Sequence, residues 1–156
     1  IYEEHVFEPL GLKHTDYPSD AEVRSPVLHA FSNDRGKYED STYWNPSWTS
    51  HSGRMTSTLA DLGTIARAVG TGKLVSEGAY REQFAPTTVG LGRNAKDLYY
   101  AMGIAVMNGW YLQNPRFGGY NLIFAYHPAG KWSVVVATTM GPKCSSDIAY
   151  STVLFK

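Results

Sequence analysis

The sequence predicts an α+β domain in which an antiparallel sheet is flanked by helices. Three observations carry that prediction. Apolar residues recur at helical spacing over 58–69, and apolar and polar residues alternate over 120–127. The apolar runs of the last third are separated by breaks of a few residues, each containing glycine, which makes hairpins and not crossovers.

In chain order, residues 1–9 read as the last turns of a helix with Val6 and Phe7 apolar, ended by Pro9 and Gly11. Residues 13–52 hold no clean period. They carry Pro18, Pro26, Pro46, Gly36 and many Ser, Asp and Asn, so they predict a long excursion of turns, with Tyr38, Tyr43, Trp44 and Trp48 to order it. A helix follows from Thr58, with Asp61 three residues on as in a capping box, Leu59, Leu62, Ile65 and Val69 on one face, and Gly70 and Gly72 at its end. A shorter helix covers Ser76 to Phe84, before Pro86. Strands are expected over 99–107, 110–113, 120–127 and 131–139, with Gly118-Gly119 and Ala129-Gly130 as turns. A last helix starts near Ser145 to Asp147 and carries Ile148, Val153, Leu154 and Phe155.

Composition excludes several classes. The 156 residues suit one domain or a large piece of one, and 43% hydrophobic with 18% charged residues is globular and not disordered. The 14 basic and 14 acidic residues balance and form no run, so the footprint that nucleic-acid binding needs is missing. No run of 18 apolar residues offers a membrane span. No signal peptide is recognisable, and both ends read as cut from something longer. Cys144, the one cysteine, is either a buried free thiol or half of a bridge to a segment outside this sequence.

Gly70-Thr71-Gly72-Lys73 has Arg67 where a phosphate loop needs its first glycine and Leu74 where it needs Ser or Thr, so it reads as a helix C-cap. The five histidines show no helical metal-site spacing and no cysteine pair joins them, so no metal and no cofactor are expected. No Gly-x-Ser-x-Gly and no Ser-x-x-Lys occurs, so no serine here has a local base. A sugar-binding β-module would rest on Trp and Tyr content alone, and the helix over 58–69 argues against it.

Five segments resemble, in order, one family. Pro9-Leu10-Gly11-Leu12 with Thr15 and Tyr17-Pro18, Ser52 to Leu62, Gly72-Lys73-Leu74-Val75-Ser76, Tyr100-Ala101-Met102-Gly103-Ile104, and Gly109-Trp110-Tyr111 with Gly119-Tyr120 and Tyr126-His127-Pro128 are similar to segments of the class C-type β-lactamase and D-alanyl-D-alanine carboxypeptidase family of serine hydrolases. The resemblance implies a penicillin-binding-protein-like fold. It makes residues 1–156 the C-terminal part of one domain, with a helical and loop excursion over 1–98 and strands plus a closing helix over 99–156.

The family works with a Ser-x-x-Lys nucleophile, a Tyr-x-Asn relay and a third motif, Lys-Thr-Gly or His-x-Gly, on a strand. The resemblance puts the first two upstream of Ile1. Tyr43-Trp44-Asn45 spells Tyr-x-Asn but follows the Pro-Leu-Gly-Leu segment, so it is read as a decoy. The third-motif positions fall on Gln113, Asn114 and Pro115. This is a departure: Gln113 carries no charge for a substrate carboxylate, and Pro115 lacks an N–H. Asn114 keeps donors and acceptors. The resemblance also implies substrate contacts from Trp48, against the alternative of core packing, and from Tyr120, against a core-facing strand residue. Arg116 is read as a solvated turn.

Two functions follow as expectations. One is an enzyme that forms an acyl-enzyme with a peptidoglycan peptide, a β-lactam or an ester, this portion supplying one wall and no nucleophile. The other is a catalytically inactive binding protein of the same fold. Expected partners are the missing N-terminal part and a small-molecule or peptide substrate, with no nucleic acid. Export to the bacterial envelope or beyond is implied, with membrane association only through an upstream lipid anchor.

Overall fold

A computed structural model describes residues 1–144 and 148–155. A π-helical turn (Glu3–Phe7) leads into α1 (Glu8–Leu10), then β1 (Phe31–Ser32), β2 (Glu39–Asp40), a 3-10 segment (Pro46–Ser52), α2 (Leu59–Gly70) and α3 (Glu77–Gln83). Strands β3 (Leu98–Tyr100), β4 (Ala105–Met107), β5 (Trp110–Gln113), β6 (Arg116–Phe117), β7 (Tyr120–His127) and β8 (Trp132–Thr139) precede α4 (Tyr150–Phe155). Mixed helices and antiparallel strands make this the expected α+β class. The chain divides into two compact units, one of Ile1–Leu12, Ala60–Gln113 and Phe124–Val135, the other of Lys13–Leu59, Asn114–Ile123 and Val136–Lys156.

In the first unit, β3, β4, β5 and the end of β7 are antiparallel neighbours, with Tyr99 opposite Val106, Val106 opposite Tyr111, and Tyr111 opposite Tyr126. The single strand expected over 99–107 is therefore a hairpin. Its bend, Ala101 to Ile104, is closed by Ala101 N–H donating to Ile104 O at 2.8 Å. Ala101 and Ile104 are buried, so a turn facing the core carries strand-like residues, which disguised it. Asn108 and Gly109, both with positive φ, make the two-residue turn into β5. The expected turn at Ala129-Gly130 forms before β8, and its left-handed residue is Lys131.

The helices of this unit end as their residues dictate. Gly72 N–H donates to Val69 O at 3.1 Å and Lys73 N–H to Ala68 O at 2.9 Å, a Schellman cap that requires the φ of +70° at Gly72. This accounts for the Gly-Thr-Gly-Lys run. Ser76 Oγ accepts from Ala79 N–H at 3.2 Å and starts α3. The core gathers Phe84, Ala101, Ile104 and Val106, with Tyr80, Tyr99 and Tyr111 against them. Phe84 stacks on Tyr111 at 3.9 Å, and burying such a ring is worth roughly 1.5–3 kcal/mol. The Tyr80 and Tyr99 hydroxyls donate to Gly70 O and Phe84 O, so the rings enter the core without stranding a donor.

In the second unit, β1 and β2 pair Phe31 with Asp40 and Ser32 with Glu39. The excursion expected over 13–52 is thus a turn-rich stretch with this short ladder and the 3-10 segment, which Asn45 caps by accepting from Ser47 N–H at 2.9 Å. β6 pairs with the start of β7, Arg116 opposite Asn121 and Phe117 opposite Tyr120, across Gly118-Gly119. Both glycines have positive φ, +48° and +85°, as a type I′ turn demands. The expected start of the last helix, Ser145 to Asp147, lies outside the described residues; the described helix begins at Tyr150, and Ile148 precedes it. Cys144 is a free, half-buried thiol.

Candidate functional site

Gln113 closes β5, and its side chain is already engaged in the first unit. Its Nε2 donates to the Tyr100 hydroxyl at 2.9 Å and to Gly103 O at 2.5 Å, so both N–H groups hold the β3–β4 bend. The residue that the sequence reading aligned with the third motif is therefore a neutral, pinned amide. Asn114 and Pro115 are exposed in the second unit. Leu122 N–H donates to Pro115 O at 3.0 Å, and Pro115 has no N–H to return the bond. That missing donor explains the break in strand structure before Arg116, which is itself exposed on β6.

The second unit carries the other two predicted contacts. Trp48 is 77% exposed, so it is not a core residue; its ring lies 5.9 Å from that of Phe117 on β6. Tyr120, opposite Phe117, is half-buried and donates its hydroxyl to Leu28 O at 2.7 Å. Burial raises the Tyr120 pKa, Asp40 and Tyr43 nearby add to the rise, and a hydrogen bond with Thr42 opposes it. The Gly118-Gly119 turn is bolted to the excursion: Ser41 Oγ donates to Gly118 O at 2.5 Å, and a Cβ on Gly119 would lie 1.8 Å from Phe31 O. The residues of Tyr43-Trp44-Asn45 have separate local tasks. Tyr43 meets His29 edge-on, Trp44 lies under the Arg35 guanidinium at 5.1 Å, and Asn45 caps the 3-10 segment.

Sequence reasoning missed a polar network on the β1–β2 hairpin. His29 Nδ1 lies 2.8 Å from Asp40 Oδ2 and 3.3 Å from Thr42 Oγ1. Asp40 Oδ1 accepts from Thr42 N–H at 2.9 Å, and Thr42 Oγ1 accepts from Ala30 N–H at 3.0 Å. Hydrogen bonding from the Thr42 side chain, then from the Thr42 backbone N–H and then from His29, lowers the Asp40 pKa to about 2, so the carboxylate stays ionised. Beside it, Arg35 grips Glu39 through both Nε, at 2.5 Å, and Nη2, at 2.7 Å, and each group stabilises the other's charged form. The sequence offered no local signal for it, since His29 and Asp40 join only once the hairpin closes.

Among the described residues no group of three His, Cys, Asp or Glu is placed to hold a metal ion. No described helix is long and apolar enough to cross a membrane.

Comparison with known proteins places this geometry. The family model described as Beta-lactamase matches residues 1–151. A D-stereospecific amidohydrolase from Streptomyces sp. superposes with a TM-score of 0.76 at 23% identity, over 88% of this chain and 42% of its own. A penicillin binding protein from Bacillus halodurans gives 0.70 at 17%, over 98% and 47%. A D-amino acid amidase from Ochrobactrum anthropi SV3, complexed with L-phenylalanine amide, gives 0.64 at 17%, over 86% and 41%. At these identities the likeness is one of fold, and the chain spans less than half the length of each of the three. No curated protein sequence matches it.

Proposed function

The chain belongs to the beta-lactamase family, and from that premise we propose that it forms one wall of the cleft of a serine hydrolase acting through an acyl-enzyme on amide bonds of peptide-like substrates. The observation that carries this is the family match over 1–151, combined with the exposed Asn114-Pro115 link between β5 and β6, in the unit that presents Trp48, Phe117 and Tyr120. The nucleophile comes from polypeptide outside these residues, because no Ser-x-x-Lys occurs within them. Neighbours named as a D-stereospecific amidohydrolase and a D-amino acid amidase support an amide with a D-configured residue as substrate. Within this reading Trp48 and Tyr120 border the bound acyl portion, and Asn114 offers it hydrogen bonds. The protein is exported to the cell envelope or beyond.

One observation favours a second reading, a catalytically silent binding protein. The Gln113 amide is tied to Tyr100 and Gly103, and Pro115 withdraws an N–H from the strand. Treating the full-length protein with a fluorophosphonate probe and a labelled penicillin separates the two. The enzyme reading expects a covalent serine adduct with at least one reagent. No adduct with either, on folded protein, supports the silent reading instead.

A further inference from the structure

β3 has β4 on one side and, among the described residues, no strand on the other. In an antiparallel pair every second residue turns its N–H and C=O away from the partner. Asp97 O accepts from Asn108 N–H at 2.8 Å, and Ala101 N–H donates to Ile104 O at 2.8 Å, so Asp97, Tyr99 and Ala101 face β4. Leu98 and Tyr100 therefore aim their backbone groups outward. The side chains here are apolar and exposed at Leu98, Tyr100 and Met102. An edge of this kind is a template for a further strand.

None of those outward groups is open. Ala95 N–H donates to Leu98 O at 2.7 Å, and Leu98 N–H returns a bond to Ala95 O at 3.1 Å. Asn94 Oδ1 accepts from Tyr100 N–H at 3.2 Å, and Thr88 Oγ1 donates to Tyr100 O at 2.8 Å. Just past the strand, Met102 N–H donates to Gln83 O, at the end of α3, at 3.1 Å. Thr88, Asn94 and Ala95 all lie on the connection from α3 to β3, and that connection holds its own shape. Leu91 N–H donates to Thr88 O, Asn94 N–H to Leu91 O and Gly90 N–H to Asn94 O, each at 3.0 Å. These turns set the Thr88 and Asn94 side chains against the edge, and neither side chain belongs to the core cluster.

We propose that the α3–β3 connection is a strap that fills the edge of β3 and keeps a second copy of the protein from adding its own β3 there. A second copy is the occupant that this edge fits. Antiparallel pairing about a two-fold axis would set Leu98 of each copy opposite Tyr100 of the other, outward groups to outward groups. Leu98–Tyr100 contains no charged residue and no proline to discourage that pairing, so the task falls to the strap. Its two side chains do this by polarity alone. Thr88 supplies the donor and Asn94 the acceptor that a neighbouring strand would otherwise offer to Tyr100. The strap acts whether or not the protein forms a serine adduct.

The test is self-association of the full-length protein, followed by sedimentation across a concentration series. Thr88→Val combined with Asn94→Ala bares the Tyr100 N–H and C=O, and association should strengthen about tenfold or more over the wild type. Hydrogen exchange locates the contact. In the double variant the Tyr100 amide should exchange fast when dilute and slowly when concentrated, whereas in the wild type its rate should not depend on concentration. Adding Leu98→Lys, a charge on the edge, should return the double variant to wild-type behaviour. Thr88→Ser with Asn94→Asp, which keep the donor and the acceptor, should behave as the wild type. Should the double variant lose its fold, Asn94→Ala alone carries the same readouts. A folded variant that associates no more than the wild type, a Tyr100 amide indifferent to concentration, association that survives Leu98→Lys, or equal association in the conservative pair would each overturn the proposal.

Discussion

Asp40 is the residue whose chemistry is most directly testable. It is a surface carboxylate, yet three hydrogen bonds hold its pKa at about 2, below the ordinary 3.8. A carboxyl depressed in the folded state stabilises the fold above its unfolded pKa, and that contribution fades as pH falls through the folded value. We expect the full-length wild type to melt above Asp40→Asn at pH 6, with the gap closing between about pH 4 and pH 2. A gap that persists unchanged below pH 2 would refute the assignment. Little of this was legible beforehand. Gln113 and Pro115 were assigned to a motif through the family resemblance, by counting in from two flanking glycines. His29 and Asp40 stand 11 residues apart, and their partnership exists only through the β1–β2 ladder.

At the scale of elements, residues whose chemistry is local were the legible ones. The α2 helix, its glycine stop and the Ser76 start were all written in cap residues and period. The bend at Ala101–Ile104 was not, because a turn that packs into a core uses the residues of a strand. The β6–β7 turn shows how much an element leans on one residue. At Gly119 a side chain would need a positive φ and would strike the Phe31 carbonyl, whereas Gly36 has a positive φ with open space around it. Gly119→Ala should destabilise by about 3 kcal/mol or more, and Gly36→Ala by about 1–2 kcal/mol, in urea denaturation. Equal losses would mean that the contact with Phe31 contributes nothing.

For the molecule as a whole, the sequence carried the class and the family because both depend on the order of many short signals along the chain. It could not carry the division into two units, which is a property of long-range contacts. The chain visits the units alternately, changing over near residues 12, 59, 113, 123 and 135. Neither unit is a continuous stretch, so neither is a separable module in the usual sense.

That alternation has a consequence for what happens when the backbone is broken. Scission after Arg93, in the exposed bend between α3 and β3, would leave part of each unit on both fragments. Trypsin-nicked full-length protein should therefore travel through a sizing column as one species and come apart only in denaturant. If the two pieces elute separately in plain buffer, the halves were never interlaced.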